Sequence, residues 1–243
     1  MLNKLSEKNM LVTGASSGFG WAIALAAAAE GANVALVARR EDKLRELAAL
    51  VEDMGVRASV CTADVADEAQ ILAAVDKARH DLGPIDVLVN NAGTNVTERS
   101  IEDTSSDQWR YLLEVNLTSA YVFTKAVLPE MKARQDGVII NLASRSALHP
   151  GLGGGVAYST SKMGMDALTQ ITNQEANAAN VRACLICPGS ANTPIVMRRP
   201  RPPSQEQLEL MLQSEDVAET VVFVAGLPPR AHVELIAIKP THL

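Results

Sequence analysis

The residues with the most chemical use stand close together in Val156-Ala157-Tyr158-Ser159-Thr160-Ser161-Lys162-Met163-Gly164-Met165. A tyrosine and a lysine four apart on a helix share one face, one turn above the other. An ammonium beside a phenol favours the phenolate, so a group that ordinarily titrates near ~10 exchanges protons closer to neutrality. A general acid or base works best when its pKa lies near the operating pH. Tyr158 and Lys162 therefore suit proton transfer at an oxygen. Taken alone, the pair equally fits a tyrosine packed in a helix interface beside a solvated lysine. What surrounds it decides.

Near the N-terminus an apolar run, Met10-Leu11-Val12, passes into Thr13-Gly14-Ala15-Ser16-Ser17-Gly18-Phe19-Gly20 and then into a helical pattern. Glycines let a backbone turn tightly and approach a pyrophosphate, which rests on the amide groups and positive dipole end of the following helix. A Gly-x-x-x-Gly-x-Gly turn between a strand and a helix is thus a dinucleotide signature. A carboxylate ending the second strand would hold the ribose hydroxyls of NAD and repel a 2′-phosphate. Here that strand ends Leu36-Val37-Ala38-Arg39-Arg40. Guanidinium groups pair with phosphate through charge-assisted, often bidentate bonds, which favours NADP(H) over NAD(H), with Arg39 ahead of Arg40. The plain alternative is two solvated arginines partly neutralised by Glu41 and Asp42.

These motifs need elements to hold them. Short apolar runs at 10–13, 33–37, 58–62, 87–90, 138–142, 181–187 and 233–238 alternate with helical patterns at 19–30, 41–54, 68–82, 107–134, 157–177 and 215–225. Such alternation predicts βαβ units and a parallel sheet with helices on both faces. The continuous apolar strands suit burial on both sides. The 243 residues, 47% hydrophobic and 21% charged, fit one α/β domain spanning residues 1–243. A net charge of −6 argues against a general nucleic-acid or anionic-membrane binder. No apolar run approaches the ~20 residues of a membrane span, and the polar start from Met1 to Asn9 has no signal-peptide core. A cytoplasmic enzyme or binding protein is the expected class. Cys184 and Cys187 form a Cys-x-x-Cys, but in a strand residues three apart point to opposite faces. No second pair or nearby histidine completes a metal site, so no metal is expected.

Three further motifs follow strand ends: Asn90-Asn91-Ala92-Gly93, Asn141-Leu142-Ala143-Ser144 and Pro188-Gly189-Ser190-Ala191-Asn192-Thr193. Open α/β sheets build their ligand crevice at these C-terminal strand ends. With the glycine turn and Tyr158/Lys162, the ordered set resembles the single-domain branch of the short-chain dehydrogenase/reductase family, from Met10 to about Val224. The resemblance implies a three-layer, Rossmann-like, doubly wound seven-stranded parallel sheet. It implies Tyr158 as catalytic acid/base, Ser144 as a donor to the substrate oxygen, and Lys162 as a ribose ligand that lowers the phenol's pKa. Asn116 matches the residue that holds a water in the proton relay. Gly14, Ser16, Ser17, Gly18, Phe19 and Gly20 would surround the pyrophosphate and adenosine end, and Asp64 and Val65 the adenine. Asn91, Ala92 and Gly93 would line the cofactor's middle; Pro188 and Gly189 share the last motif with Ala191 and Thr193, the matches to its carboxamide contacts. A homodimer or homotetramer is implied as well.

Each residue alone has a plainer reading: Asn116 satisfying a backbone group at a kink, Ser144 capping a turn, Asp64 an N-cap before Glu68, Asn91 shaping a turn. Their order together favours an NADP-dependent oxidoreductase passing hydride between the cofactor and a small carbonyl or secondary alcohol. Ser17 stands where many NADP-preferring members carry a base, so the preference rests on Arg39 and Arg40. The C-terminal region differs from the glycine-rich ending of oxoacyl-carrier-protein reductases and is similar to hydroxy-acid-dehydrogenase-like members. Residues 194–213 match the substrate-covering loop and helix; Arg198, Arg199 and Arg201 there are candidates to attract an anion, or are simply solvated. Arg145 and His149 lie between Ser144 and Tyr158 and are candidate substrate contacts. A dinucleotide-sensing regulator and a sugar-nucleotide epimerase are the competing readings; the intact Ser144, Tyr158 and Lys162 disfavour the first, and chain length and glycine spacing the second.

Overall fold

The computed structural model describes residues 3–242; Met1 and Leu2, which open the polar N-terminal stretch, and Leu243 lie outside the described residues. Seven strands form the sheet: β1 (Asn9–Thr13), β2 (Asn33–Ala38), β3 (Ala58–Thr62), β4 (Val87–Asn90), β5 (Gly137–Leu142), β6 (Val181–Pro188) and β7 (Leu235–Ile238). The helices are α1 (Gly18–Ala29), α2 (Glu41–Glu52), α3 (Glu68–Leu82), α4 (Ser106–Leu113), α5 (Ser119–Arg134), α6 (Arg145–Leu148), α7 (Val156–Ala176), α8 (Gln205–Leu210) and α9 (Ser214–Ala225). All strand pairs are parallel, in the order β3-β2-β1-β4-β5-β6-β7.

Side-chain alternation splits the core into two layers. Met10 and Val12 of β1, with Ile140 of β5 and Ile186 of β6, pack under α1, α2 and α9. Leu11 and Ile139 face the other way, toward α3 and α5. Helix α2 shows why: its buried Leu44, Leu47, Ala48 and Val51 follow the i, i+3, i+4, i+7 rhythm of one apolar stripe. The same alternation separates the cysteines, Cys184 in one layer and Cys187 in the other. Burial pushes their thiols up to about 12 and about 11.

The strand order reverses between β1 and its neighbours β2 and β4, which opens a crevice above their C-terminal ends. The long helical pattern at 107–134 is not one regular helix. A π turn, Glu114–Thr118, interrupts it between α4 and α5. Such bulges carry an extra residue per turn and occur often at functional sites. The turn holds Asn116 at 0% exposure. The last strand begins at Leu235, two residues later than expected from the sequence. Segment 194–213 is built from a 3₁₀ turn, Pro194–Arg198, and the short α8.

Candidate active site

The glycine turn after β1 is shaped by contacts that admit no side chain. A Cβ on Gly14 (φ 69°) would lie 2.9 Å from both the Ala92 Cα and Asn91 Nδ2. The Asn91 amide is the staple: its Nδ2 donates to Thr13 O at 2.7 Å, while the Asn91 and Ala92 N–H groups donate to Thr13 Oγ1 at 2.9 Å each. The loop after β4 is thereby tied to the turn after β1. Ser17, the N-cap of α1, makes no side-chain cap bond, so the first amides of α1 have no capping oxygen. An uncapped helix start above a close backbone approach is what a pyrophosphate fits.

A cavity of about 520 Å³ runs from this turn across the sheet. Gly14, Ser16, Ser17, Gly18 and Phe19 line one end with Arg39, Arg40, Asp64 and Val65; Asn91, Ala92 and Gly93 line the middle. Tyr158, Lys162, Thr193 and Arg198 line the other end. Gly20 lies behind the wall, against the Gly14 carbonyl. Asp64 is not the N-cap of α3; Asp67 is, accepting from the Ala69 and Gln70 N–H groups. Asp64 instead accepts from Ala66 N and stands 3.8 Å from the Arg39 guanidinium. Arg40 turns back to donate to Ser16 Oγ and O.

A smaller chamber of about 270 Å³ adjoins the cavity. Phe19, Ala143, Tyr158, Thr193 and Ile195 line both. Ser144, Pro188, Gly189 and Ala191 line the chamber, together with Arg99, Arg145 and Arg199. Tyr158 thus stands where the two spaces meet, beside Ser144. His149 is exposed and lines neither space.

Lys162 is 3% exposed; its Nζ donates to Leu142 O at 2.7 Å and lies 5.9 Å from the centre of the Tyr158 ring. Burial pulls its pKa down to about 8. The expected lowering of the phenol by Lys162 does not hold in this structure. Burial pushes Tyr158 up, although the residue keeps an exposed edge on the cavity wall. The groups opposing that rise are the Ser144 hydroxyl, then Arg99 and Arg199. The physical reason is distance and burial: the lysine charge is itself disfavoured and is spent on a carbonyl.

Ser144 and Asn116 both take their plainer readings, as a cap and as a partner to loop backbone. Ser144 caps α6 by accepting from Ser146 N at 3.1 Å, which leaves its own hydroxyl hydrogen free to donate. Asn116 accepts from Thr94 N at 2.7 Å and donates to Thr94 O at 3.0 Å and Ser161 Oγ at 3.2 Å. Its amide pins the loop after Gly93, so both amide hydrogens are committed to protein. Below them, Asn90 donates to Asn141, and Asn141 to Thr169, as a buried chain linking β4, β5 and α7. Among the described residues no group of three or more His, Cys, Asp or Glu side chains is placed to hold a metal. None of their helices is long and apolar enough to cross a membrane.

Arg99 is the residue that sequence reasoning missed. It sits in the irregular stretch after the Asn-Asn-Ala-Gly motif, and its only signal was following a strand end at the crevice. It is 9% exposed, and burial lowers the pKa of its guanidinium.

Fold and crevice together define a doubly wound dinucleotide-binding oxidoreductase scaffold. The family model of short chain dehydrogenases matches residues 8–203. The chain is 34% identical to trans-4-hydroxycyclohexanecarboxylate dehydrogenase of Sinomonas cyclohexanicum, over 92% of this chain and 88% of that protein. It is 33% identical to the glycine betaine reductase ATRR of Emericella nidulans over 97% of its own length, but spans only 19% of that longer protein. Its structure is similar to that of an alcohol dehydrogenase from the archaeon Thermococcus sibiricus complexed with 5-hydroxy-NADP, with TM-score 0.87, 28% identity and 97% of each chain covered. The chain belongs to the short-chain dehydrogenase family, oxidoreductases that use a nicotinamide dinucleotide on alcohol or carbonyl groups of small molecules.

Proposed function

We propose that this protein is an NADP(H)-dependent ketone reductase, or secondary-alcohol dehydrogenase in reverse, with Tyr158 as general acid/base. The observation that carries this reading is the place of Tyr158, at the junction of the two spaces with Ser144 on one side and Lys162 on the other. The dinucleotide, when bound, supplies or accepts the hydride. In reduction the Tyr158 hydroxyl, kept protonated by its burial, gives its proton to the forming alkoxide. Ser144 donates its free hydroxyl hydrogen to the same oxygen, and stabilisation of developing negative charge by a fixed donor is a large catalytic effect. Lys162 has one of its three N–H bonds on Leu142 O and a second on Met165 Sδ, which leaves one for the ribose. Asn116 keeps the Gly93–Thr94 backbone in place beneath the cofactor. Residues 194–213 cover the substrate, with Ile195, Val196 and Arg199 forming the chamber wall. The substrate named for the similar Sinomonas enzyme is a secondary alcohol, in keeping with this chemistry.

The choice of NADP(H) rests on Arg39 and Arg40 at the adenosine end of the cavity. The Arg39 side chain is 64% exposed and its ion pair with Asp64 is long, so that pair contributes little and a 2′-phosphate displaces it readily. The similar Thermococcus structure holds 5-hydroxy-NADP. Arg39→Ala is expected to raise the KM for NADPH roughly tenfold or more, the loss of one charge-assisted phosphate contact, with KM for NADH little changed. Steady-state kinetics with both nucleotides checks it. An equal effect on both, or better use of NADH by the wild type, contradicts the preference.

A further inference from the structure

The small chamber is rich in positive charge that no salt bridge among the described residues balances; the acid whose charge reaches Arg99 is its neighbour Glu98. Arg99, Arg145 and Arg199 all line it, and none pairs with a carboxylate among the described residues. Arg99 is the deepest. Its Nη1 donates to Gly154 O at 3.1 Å and its Nη2 to Arg198 O at 3.0 Å, while its Nε–H is sealed from solvent with no acceptor. Arg199 makes one contact, a 3.3 Å bond to Ser190 Oγ. A buried cation held only by neutral carbonyls is costly, and a buried N–H without a partner adds to that cost. The protein's other buried arginine, Arg182, also has a sealed Nε–H without an acceptor, and differs from Arg99 in its place. Arg182 donates to three carbonyls, of Leu227, Pro228 and Ala231, and lines neither space, so it serves as a clamp on the chain after α9.

Arg99 is held by two segments that form the chamber's walls: Gly154, before α7, and Arg198, at the end of the 3₁₀ turn. Its charge and that of Arg199 both reach Tyr158, so they lie on the reacting side of the chamber. We propose that Arg99, with Arg199, binds a carboxylate on the substrate and makes the protein selective for small keto acids and hydroxy acids. A guanidinium fork matches a carboxylate in plane and charge. A substrate anion would fill the missing counter-charge, and would hold the carbonyl at a fixed distance from its carboxylate against Ser144 and Tyr158.

This inference rests on the chamber being the substrate site, so its test has an arm that needs no turnover. The first arm compares kcat/KM for small keto acids and their methyl esters in wild type, Arg99→Met, Arg99→Lys and Arg199→Met. Wild type is expected to prefer the acids. The acid-to-ester ratio should fall roughly 10- to 100-fold in Arg99→Met, as for loss of a hydrogen bond to a charged group, mainly through KM. Arg99→Lys should keep an intermediate ratio and Arg199→Met lose less. A ratio unchanged in Arg99→Met, with acid and ester falling together, assigns Arg99 a structural role and overturns the proposal. So does a wild-type preference for esters. The second arm titrates benzoate and inorganic phosphate into the wild type, Arg99→Lys and Tyr158→Phe proteins saturated with NADP⁺, by calorimetry. Benzoate should bind wild type and Tyr158→Phe, bind Arg99→Lys more weakly, and bind more tightly than phosphate. Absence of benzoate binding, or tighter phosphate binding, overturns the carboxylate site even if carbonyl reduction stands. Benzoate binding without any carbonyl turnover would instead sink the reductase reading and leave the anion site in place.

Discussion

Tyr158→Phe is expected to lower kcat for carbonyl reduction by roughly 10²–10⁴-fold, the range for removing a positioned general acid, while the dissociation constant for NADPH changes little. The substitution deletes one oxygen from a side chain whose ring packs at the junction of two cavities and leaves the ring in place. Burial raises the pKa of that phenol, so at neutral pH it holds its proton and is ready as an acid. Nothing else beside Ser144 replaces it: the Lys162 ammonium is turned to Leu142 O, and the histidine of that loop, His149, lies outside the chamber. Pre-steady-state and steady-state rates with one ketone, alongside fluorescence titration of NADPH, measure both halves. Near-normal turnover in the variant would remove Tyr158 from the chemistry.

The second large effect is expected from Gly20→Ala. Alanine is ordinarily better than glycine inside a helix by about 1 kcal/mol, and Gly20 is the third residue of α1. Here the added Cβ would overlap the Gly14 carbonyl and approach Asn91 Nδ2 to 2.6 Å. Both atoms belong to the staple that fixes the glycine turn, since Asn91 Nδ2 also holds Thr13 O. Backbone cannot yield as a flexible side chain does. Overpacking costs of ~1–3 kcal/mol should therefore outweigh the propensity gain, and the turn should open. Urea denaturation should show a net loss of stability, and NADPH binding should weaken at least tenfold, about 1.4 kcal/mol. A variant as stable as wild type with unchanged affinity would show that the close approach is not required.

Much of this was legible before any coordinates. The alternation of apolar runs and helical patterns placed all seven strands, because parallel strands buried on both faces leave unbroken apolar runs. The separation of Cys184 from Cys187 followed from strand period alone. Most of the residues expected around a dinucleotide line one cavity, while Pro188, Gly189 and Ala191 line the adjoining chamber and Gly20 lies behind the wall; the motifs gather because each follows a strand end and the strand ends lie side by side. What the sequence hid depends on long-range contact. A π turn of five residues leaves too little trace in the periodicity of 107–134 to be read there. Asp64 and Asp67 compete for one cap, and only the backbone angle at Asp67 resolves it. The electrostatics of Tyr158 went the other way from the local pattern: a neighbour one helical turn away mattered less than burial and two arginines from distant segments. Arg99 was invisible for the same reason, since its importance arises from Gly154 and Arg198, which lie 55 and 99 positions away in the chain.

The central claim is hydride transfer between the dinucleotide and a carbonyl carbon at the Tyr158–Ser144 edge of the crevice. Its most direct measurement is reduction of a ketone or keto acid with NADPH deuterated at nicotinamide C4, each face in turn, followed by mass spectrometry and NMR of the alcohol. The account predicts that one of the two labelled nucleotides places deuterium on the carbinol carbon, and that Tyr158→Phe suppresses its formation. An alcohol carrying only solvent-derived hydrogen at that carbon, with either label, would contradict it.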